Sequence, residues 1–311
     1  MNHFYDLLSR KLDKTILPVD TTLTLIRWGQ KLIDGLATKS DQVMKTSLPG
    51  KDGGQDIPLY VFSPKVQTSD EVLVYFHGGG WVFGNSDVYS ISTIKLANAI
   101  GRKIYIVNYR VAPENPYPQG LEDCVHALKL LYKYSYQILQ TSPNKIILFG
   151  DSSGGNLAAV TSLIFAMNQL PYKISRQILL YPITYWDHSP ESFYMAKNPD
   201  LYDLGITSKK VNDFMPLYCP DVECRKDYTV SPLMAKNLSN QPETLIITAS
   251  LDPLKEEGKA YGMKLLKAGN SVSMREIQGA FHGFFTFPVS AFEDEFYEIV
   301  NEFLNRTEQE V

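Results

Sequence analysis

The sequence predicts an α/β protein built on a mostly parallel sheet that is covered by helices on both faces. Short β-rich runs alternate with longer helical stretches through the middle of the chain, as they do in consecutive βαβ units. The chain has 311 residues, of which 44% are hydrophobic, so it can bury a sizeable core. Its length fits one large α/β domain or two small domains.

The predicted elements follow one another in a regular order. Upstream, two β-rich runs flank the turn sequence PGKDGG and predict an antiparallel hairpin at one edge of the sheet, with strands at 42–48 and 57–63. The later strands are predicted at 71–77, 103–109, 145–150, 176–182, 243–250 and 271–277. The helices are predicted at 87–100, 120–140, 156–167, 253–268 and 288–304.

Two segments do not fit this alternation, and together they predict a helical cap over the sheet. In the segment 1–40, apolar residues from Leu25 to Leu36 fall on one helical face. The segment 183–230 is rich in aromatic residues and interrupts the alternation, as a lid or binding loop does. A peripheral helical decoration without a role in binding is the alternative. The predicted domains are cap helices at 1–40, a core at 41–182 and 231–311, and a cap insertion at 183–230.

Charge and composition exclude several classes of protein. The formal net charge is −4 without a long run of one sign, so we expect no nucleic-acid partner. No run approaches the roughly 20 apolar residues of a spanning helix, and the N-terminus lacks a signal-peptide core, so no stable membrane insertion is expected. The three cysteines predict thiols, not disulfides or zinc ligands. The expectation is a cytoplasmic protein, with a homodimer left open.

A serine lies where a predicted strand gives way to a predicted helix. Gly150-Asp151-Ser152-Ser153-Gly154 fits the pattern G-x-S-x-G, which in this context is typical of a nucleophile held in a strained turn. Side chains at either glycine would collide with the adjoining strand or helix. Ser153 is a rival nucleophile, but only Ser152 has glycines two residues away on both sides. A glycine-rich turn, or a phosphate-binding loop that lacks the P-loop lysine, is the alternative.

The stretch HGGGW at 77–81 follows the first predicted parallel strand. Consecutive glycines let backbone N–H groups point into a cleft, where they can stabilise negative charge on a carbonyl oxygen during acyl transfer. The candidate donors are the amides of Gly79, Gly80 and Ser153. His77 is interpreted as a brace for the loop, and a merely flexible loop is the alternative.

A serine nucleophile needs a base and an orienting acid. His282 follows the strand 271–277 and Asp252 follows the strand 243–250, at the edge of a parallel sheet where such sites are built. The alternative for His282 is a loop histidine that is hydrogen-bonded to backbone. The alternative for Asp252 is the N-cap of the following helix. The chain has five histidines: His3, His77, His126, His188 and His282.

Over residues 55–290 the chain resembles the hormone-sensitive-lipase-like branch of the α/β-hydrolases, which includes many bacterial carboxylesterases. The resemblance rests on HGGGW (77–81), YRVAPE (109–114), GDSSGG (150–155), SPL (231–233), DPLKEEG (252–258) and FHGF (281–284). It implies the α/β-hydrolase fold with an eight-stranded, mostly parallel sheet, a helical cap and ester hydrolysis without a cofactor or metal. It also implies that Ser152 is the nucleophile, His282 the base and Asp252 the acid that orients it. The implied oxyanion donors are the amides of Gly79, Gly80 and Ser153.

Other motif residues are expected to support the site. These are His77, Gly78, Arg110, Glu114 and Asp151, of which Arg110 and Glu114 would fix loops near it. The sequence departs from the family at two positions, with Ser153 where alanine is common and Val111 where leucine is common.

The predicted function is a serine carboxylesterase that hydrolyses short-to-medium-chain acyl esters of small molecules through an acyl-enzyme. The tyrosines of the predicted cap favour a partly polar pocket over the apolar surface of a membrane-acting lipase. An arylacetamide or sugar O-acetyl deacetylase with the same three residues is the alternative, because the pocket decides the substrate. A ligand-binding receptor of the same fold is a remote alternative, since His282 is present.

Overall fold

An eight-stranded sheet forms the centre of the protein. The computed structural model describes residues 40–189, 192, 208–286 and 290–306. The predicted cap segment 1–40 lies outside the described residues apart from Ser40. The strands are β1 (Val43–Leu48), β2 (Ile57–Phe62), β3 (Val72–Phe76), β4 (Lys103–Val107), β5 (Ile146–Asp151), β6 (Arg176–Leu180), β7 (Glu243–Leu251) and β8 (Val272–Phe281).

The order of strands across the sheet is β1-β2-β4-β3-β5-β6-β7-β8. β1 and β2 form the predicted antiparallel hairpin at one edge, and β2 also runs antiparallel to β4. All later neighbours are parallel, as the alternation of strands and helices predicts. β8 extends four residues beyond its predicted end, because a register irregularity opposite Ala249 and Leu251 lets pairing continue through Gly279.

Helices connect the parallel strands. The predicted helix 120–140 is two helices that meet at Tyr134, and the helix predicted from 156 begins three residues earlier, at Ser153. The helices are α1 (Ser90–Ile100), α2 (Gln119–Lys133), α3 (Ser135–Ile138), α4 (Ser153–Met167), α5 (Ser208–Tyr218), α6 (Val222–Arg225), α7 (Lys255–Lys267) and α8 (Ser290–Asn305).

The central strand β3 has a hydrophobic core on each side. Val74 and Phe76 belong to the core that α2, α4 and α7 cover, whereas Leu73 and Tyr75 belong to the core that α1 and α8 cover. Successive side chains of a strand point to opposite faces, so a strand between two helical layers must be apolar throughout. The whole of β3 is buried, and each such large apolar side chain contributes about 1.5–3 kcal/mol to folding.

The parallel strands bring the ends of distant chain segments to one edge of the sheet. β3, β5, β7 and β8 all point the same way, so the loops that follow them meet above their carboxyl ends. The predicted cap insertion is described in part, and its helix α5 packs into the core beside these loops. No helix among the described residues has the length and apolar character needed to cross a bilayer.

Candidate active site

Ser152 occupies the turn between β5 and α4 in a strained backbone conformation. Its φ is 54° and its ψ is −121°, in a region that residues other than glycine rarely adopt. The surrounding backbone holds this conformation, because the Ser152 N–H donates to the Leu180 carbonyl at 2.9 Å and its carbonyl accepts from the Ile183 N–H at 3.2 Å. The turn lifts the hydroxyl above the sheet edge, as the G-x-S-x-G pattern predicts.

The glycines on either side of this serine are required by sterics. A Cβ at Gly150 would lie 2.2 Å from the Gly154 carbonyl oxygen, and a Cβ at Gly154 would lie 2.0 Å from the Phe76 carbonyl oxygen. Both clashes are with backbone, which cannot rotate out of the way. The helix can therefore begin directly after the serine and pack closely on β3, despite the low helix propensity of glycine.

The structure brings Ser152, His282 and Asp252 into one hydrogen-bonded chain. His282 Nε2 lies 2.8 Å from Ser152 Oγ, and His282 Nδ1 lies 2.7 Å from Asp252 Oδ2. A carboxylate only accepts, so Nδ1 carries the proton and the Nε2 lone pair faces the serine hydroxyl. All three residues are buried, Asp252 completely. Such an arrangement can take the serine proton and stabilise the imidazolium that forms.

Asp252 also accepts a bond from its own loop. Its Oδ1 accepts the Leu254 N–H at 2.8 Å, and α7 begins only at Lys255. The carboxylate is thus not the N-cap of a helix that starts at Pro253. The local bond fixes the carboxylate while its other oxygen holds the imidazole.

Tyr181 supports the imidazole from the side, and the sequence gives no signal for it. Its ring centroid lies 4.7 Å from that of His282. Tyr181 has a φ of 34°, and its N–H donates to the Ile247 carbonyl at 2.6 Å. The ring therefore packs against one side of the imidazole that reaches Ser152 Oγ.

The glycine loop after β3 presents backbone amides beside the serine turn. Gly79 and Gly80 have φ values of 114° and 60°, and among the described residues neither amide donates to a protein acceptor. The Ser153 amide opens α4, so it has no acceptor within the helix. Amides at a helix N-terminus and in a glycine loop can face an anion.

Asp151 ties the glycine loop to the serine turn. Its Oδ1 accepts the Gly78 N–H and the Tyr75 hydroxyl, both at 2.7 Å. A Cβ at Gly78 would lie 2.5 Å from Asp151 Oδ2, so only glycine fits there. Burial raises the pKa of Asp151 to about 6, and the hydrogen bonds from Tyr75 and Gly78 oppose that rise.

His77 lies at the start of the glycine loop, between two aromatic rings. Its ring stacks on Tyr109 with centroids 4.4 Å apart and on Tyr89 at 5.6 Å, and its Nδ1 lies 2.8 Å from the Gly78 carbonyl oxygen. Burial lowers the pKa of His77 to about 4, so the ring is neutral near pH 7. A neutral Nδ1–H donates to that carbonyl.

Arg110 and Glu114 lie in the connection between β4 and α2. Arg110 donates from Nε and Nη2 to the two carboxylate oxygens of Asp123, each at 2.8 Å, and its backbone N–H donates to the same carboxylate. These bonds anchor the connection to α2. Glu114 lies exposed in the same connection.

Aromatic residues of α5 cover the glycine loop, a contact that sequence reasoning missed. A Cβ at Gly80 would lie 2.5 Å from a ring carbon of Phe214, and Phe214 meets Phe83 edge to face at 5.8 Å. Tyr218 stacks on Trp81 with centroids 4.5 Å apart and planes 4° apart. The only sequence signal is the abundance of aromatic residues in the insertion.

The other described histidines do not join the serine. His126 Nε2 lies 3.1 Å from the Pro49 carbonyl oxygen. His188 Nε2 lies 3.1 Å from Glu257 Oε2, with both side chains buried, and Glu257 Oε1 accepts the Thr184 N–H at 2.6 Å. This contact fastens the start of the insertion to α7. His3 lies outside the described residues.

Proteins with similar sequences and structures include several esterases. A family model of the alpha/beta hydrolase fold, Abhydrolase_3, matches residues 73–286. An arylesterase of Saccharolobus solfataricus is 30% identical over 233 residues, covering 75% of this chain and 74% of that protein. The carboxylesterase NlhH of Mycobacterium tuberculosis is 34% identical over 245 residues, covering 76% and 74%. The structure of a hyperthermophilic esterase from Pyrobaculum calidifontis matches with a TM-score of 0.81 at 28% identity, covering 95% of this chain and 96% of that one.

Proposed function

This chain belongs to the Abhydrolase_3 family of hormone-sensitive-lipase-like esterases, and we propose that it hydrolyses short-to-medium-chain acyl esters through an acyl-enzyme on Ser152. The family resemblance inferred from the motifs is confirmed, and the protein is a carboxylic ester hydrolase with the α/β-hydrolase fold. What remains to be proposed is which residues perform the reaction and which esters they accept.

Acylation begins with proton transfer from the serine hydroxyl. His282 Nε2, 2.8 Å from Ser152 Oγ, takes the proton as Oγ attacks the ester carbonyl. Asp252 keeps the imidazole in the tautomer that can accept this proton and stabilises the imidazolium through the 2.7 Å contact at Nδ1. His282 then gives the proton to the leaving alcohol.

The negative charge of the tetrahedral intermediate is held by backbone amides. The proposed donors are Gly79 and Gly80 in the glycine loop and Ser153 at the start of α4. Their amides have no competing acceptor among the described residues, which leaves them available to the oxyanion. One such donor typically lowers the barrier by about 2.7–4 kcal/mol.

Deacylation repeats the sequence with water as the nucleophile. Water attacks the acyl-enzyme while His282 takes a proton from that water, and the same amides hold the second tetrahedral intermediate. The Ser152 oxygen then leaves and receives the proton from His282, which restores the starting state.

Aromatic rings beside the glycine loop support a limited acyl length. Phe214 packs against Gly80, and the buried Tyr218 ring stacks on Trp81 at the downstream end of the loop. Rigid rings so close to the proposed oxyanion donors leave room for a short acyl chain more readily than for a long one.

The cytoplasmic location expected from the sequence stays a prediction.

The observation that carries this proposal is the buried hydrogen-bonded chain from Ser152 Oγ through His282 to Asp252. The test measures hydrolysis of p-nitrophenyl esters from acetate to laurate by the wild type and Ser152→Ala. We expect turnover of the short esters, and a loss of at least about a thousandfold in the variant. The matched control is Ser162→Ala, which removes a buried hydroxyl of α4 that donates to Gln241 Oε1, away from the serine turn.

If Ser152→Ala keeps wild-type turnover, Ser152 is not the nucleophile. If the turnover rate rises steadily from acetate to laurate, the proposed preference for short-to-medium acyl chains is wrong. Parallel assays with p-nitrophenyl acetate and p-nitroacetanilide separate an esterase from an arylacetamide deacetylase, because the two substrates transfer the same acetyl group from oxygen or from nitrogen.

A further inference from the structure

Two buried hydroxyl groups hold the two ends of the glycine loop. The Trp81 N–H, at the downstream end, donates to Ser153 Oγ at 3.2 Å. The His77 carbonyl, at the upstream end, accepts from the Tyr109 hydroxyl at 2.6 Å. The glycines at 78–80 therefore lie between two side-chain contacts that come from elsewhere in the chain.

Both side chains are buried, so water does not compete for either hydrogen bond. The glycine loop is therefore held at each end by a buried side-chain hydroxyl group.

The backbone at the downstream end requires such a restraint. Trp81 has a φ of 62°, in the left-handed region that a bulky residue adopts only when its surroundings impose it. The peptide between Gly80 and Trp81 is planar, so fixing the Trp81 N–H also fixes the carbonyl end of Gly80. The direction of the Gly80 amide depends on this neighbouring peptide.

We propose that Ser153 is a positioning residue whose side chain, through its hydrogen bond with the Trp81 N–H, holds the glycine loop in the conformation that aims its amides at the oxyanion. The inference rests on the proposed function, because it assumes that Gly79 and Gly80 stabilise the tetrahedral intermediate. It assigns to the Ser153 hydroxyl a role beyond that of its own amide. Without the hydroxyl, the loop keeps its place but the direction of its amides is less well defined. The loss therefore weakens binding of the transition state more than binding of the substrate.

The test compares the wild type with Ser153→Ala, Tyr109→Phe and the double variant. Each change removes only one oxygen and introduces no clash. With p-nitrophenyl butyrate we expect each single variant to lose about three- to tenfold in kcat with KM unchanged. We expect the double variant to lose less than the product of the two single losses, because both hydroxyls restrain the same loop.

A second measurement separates positioning from mere stability. A phenylboronic acid forms a tetrahedral adduct with Ser152, in which an oxygen occupies the proposed oxyanion position. Its inhibition constant should weaken in Ser153→Ala by the same factor as kcat. A role in folding alone would lower the melting temperature and leave both values unchanged.

Wild-type kcat and boronate inhibition in Ser153→Ala would overturn the inference, as would losses that simply multiply in the double variant. These outcomes are distinct from a failure of the proposed function. If Ser152→Ala is inactive while Ser153→Ala matches the wild type, the assignment of Ser152 as the nucleophile stands and only the positioning role of the Ser153 side chain is wrong. If Ser152→Ala is active, both are wrong.

Discussion

The serine turn and the glycine loop both depend on glycine, but for different physical reasons. In the turn, Cβ atoms at Gly150 and Gly154 would meet backbone oxygens at 2.2 and 2.0 Å. In the loop, a Cβ at Gly78 or Gly80 would meet side chains, namely the Asp151 carboxylate and the Phe214 ring, each at 2.5 Å. The turn is thus shaped by its own backbone and the adjoining strand, whereas distant side chains also shape the loop.

The largest expected effect comes from Gly154→Ala, which tests the serine turn, where the added Cβ would meet backbone atoms. Its Cβ would lie 2.0 Å from the Phe76 carbonyl oxygen and 2.5 Å from that of His77, and no rotamer relieves either contact. We expect the free energy of unfolding to fall by more than about 3 kcal/mol, as measured by urea denaturation. The contrasting control is Gly53→Ala, where the φ of 78° makes any side chain strained but nothing lies within 4 Å of the added Cβ, and which should lose about 1 kcal/mol. Equal losses in the two variants would contradict a steric origin.

Gly80→Ala probes the loop, where the obstacle can be removed. The added methyl group would press on the Phe214 ring, and we expect kcat to fall about ten- to a hundredfold because the neighbouring amides are displaced. Phe214→Ala in the same chain removes the obstacle. Steady-state kinetics should therefore show partial recovery of kcat in the double variant. No recovery would mean that the positive φ of Gly80, not Phe214, sets the requirement.

The smallest expected effect concerns pH and involves two buried groups, Asp151 beside Ser152 and His77 at the start of the glycine loop. Burial raises the pKa of Asp151 from 3.8 to about 6, so the folded state binds a proton more tightly and gains stability as the pH falls through 6. Burial lowers the pKa of His77 from 6.5 to about 4, so the unfolded state takes up that proton first and stability is lost over the same range. The two contributions oppose each other.

Asp151→Asn removes the gain in stability that protonation of the Asp151 carboxyl provides as the pH falls. An asparagine Oδ1 can still accept from Tyr75 and Gly78, but the side chain no longer gains a proton. Urea denaturation at pH 7.5 and pH 4.5 should therefore show a loss of stability on acidification that is greater than in the wild type by about 2 kcal/mol. A loss equal to that of the wild type would mean that the Asp151 carboxyl does not titrate in this range.

The same comparison explains what the sequence can predict. The turn was predictable because its determinants are local: a strand, a glycine on each side of the serine, and a helix. The positions of Asp252 and His282 were predictable because parallel strands end at one edge. The beginning of α4 at Ser153 was not, because helix propensity disfavours Gly154 and Gly155, whereas close packing on β3 requires them.

The contacts that shape the loop could not be predicted. Trp81 and Ser153 are 72 residues apart, and Phe214 comes from an insertion with no alternating pattern. Nothing in the sequence indicates that the Ser153 hydroxyl faces the Trp81 amide or that the Tyr181 ring lies against His282. Such contacts depend on how the sheet and the insertion are placed relative to each other, which no local pattern specifies.

The distribution of the candidate site along the chain has a consequence for the order of events in folding. His282 is 30 residues from Asp252 and 130 from Ser152, and each follows a different strand. Closing loops of this length is slow compared with forming a helix or a hairpin. Under the proposed mechanism, a nascent or refolding chain acquires hydrolytic activity only after β8, the last in chain order of the eight described strands, has docked, so activity reports a late stage of folding and not its onset.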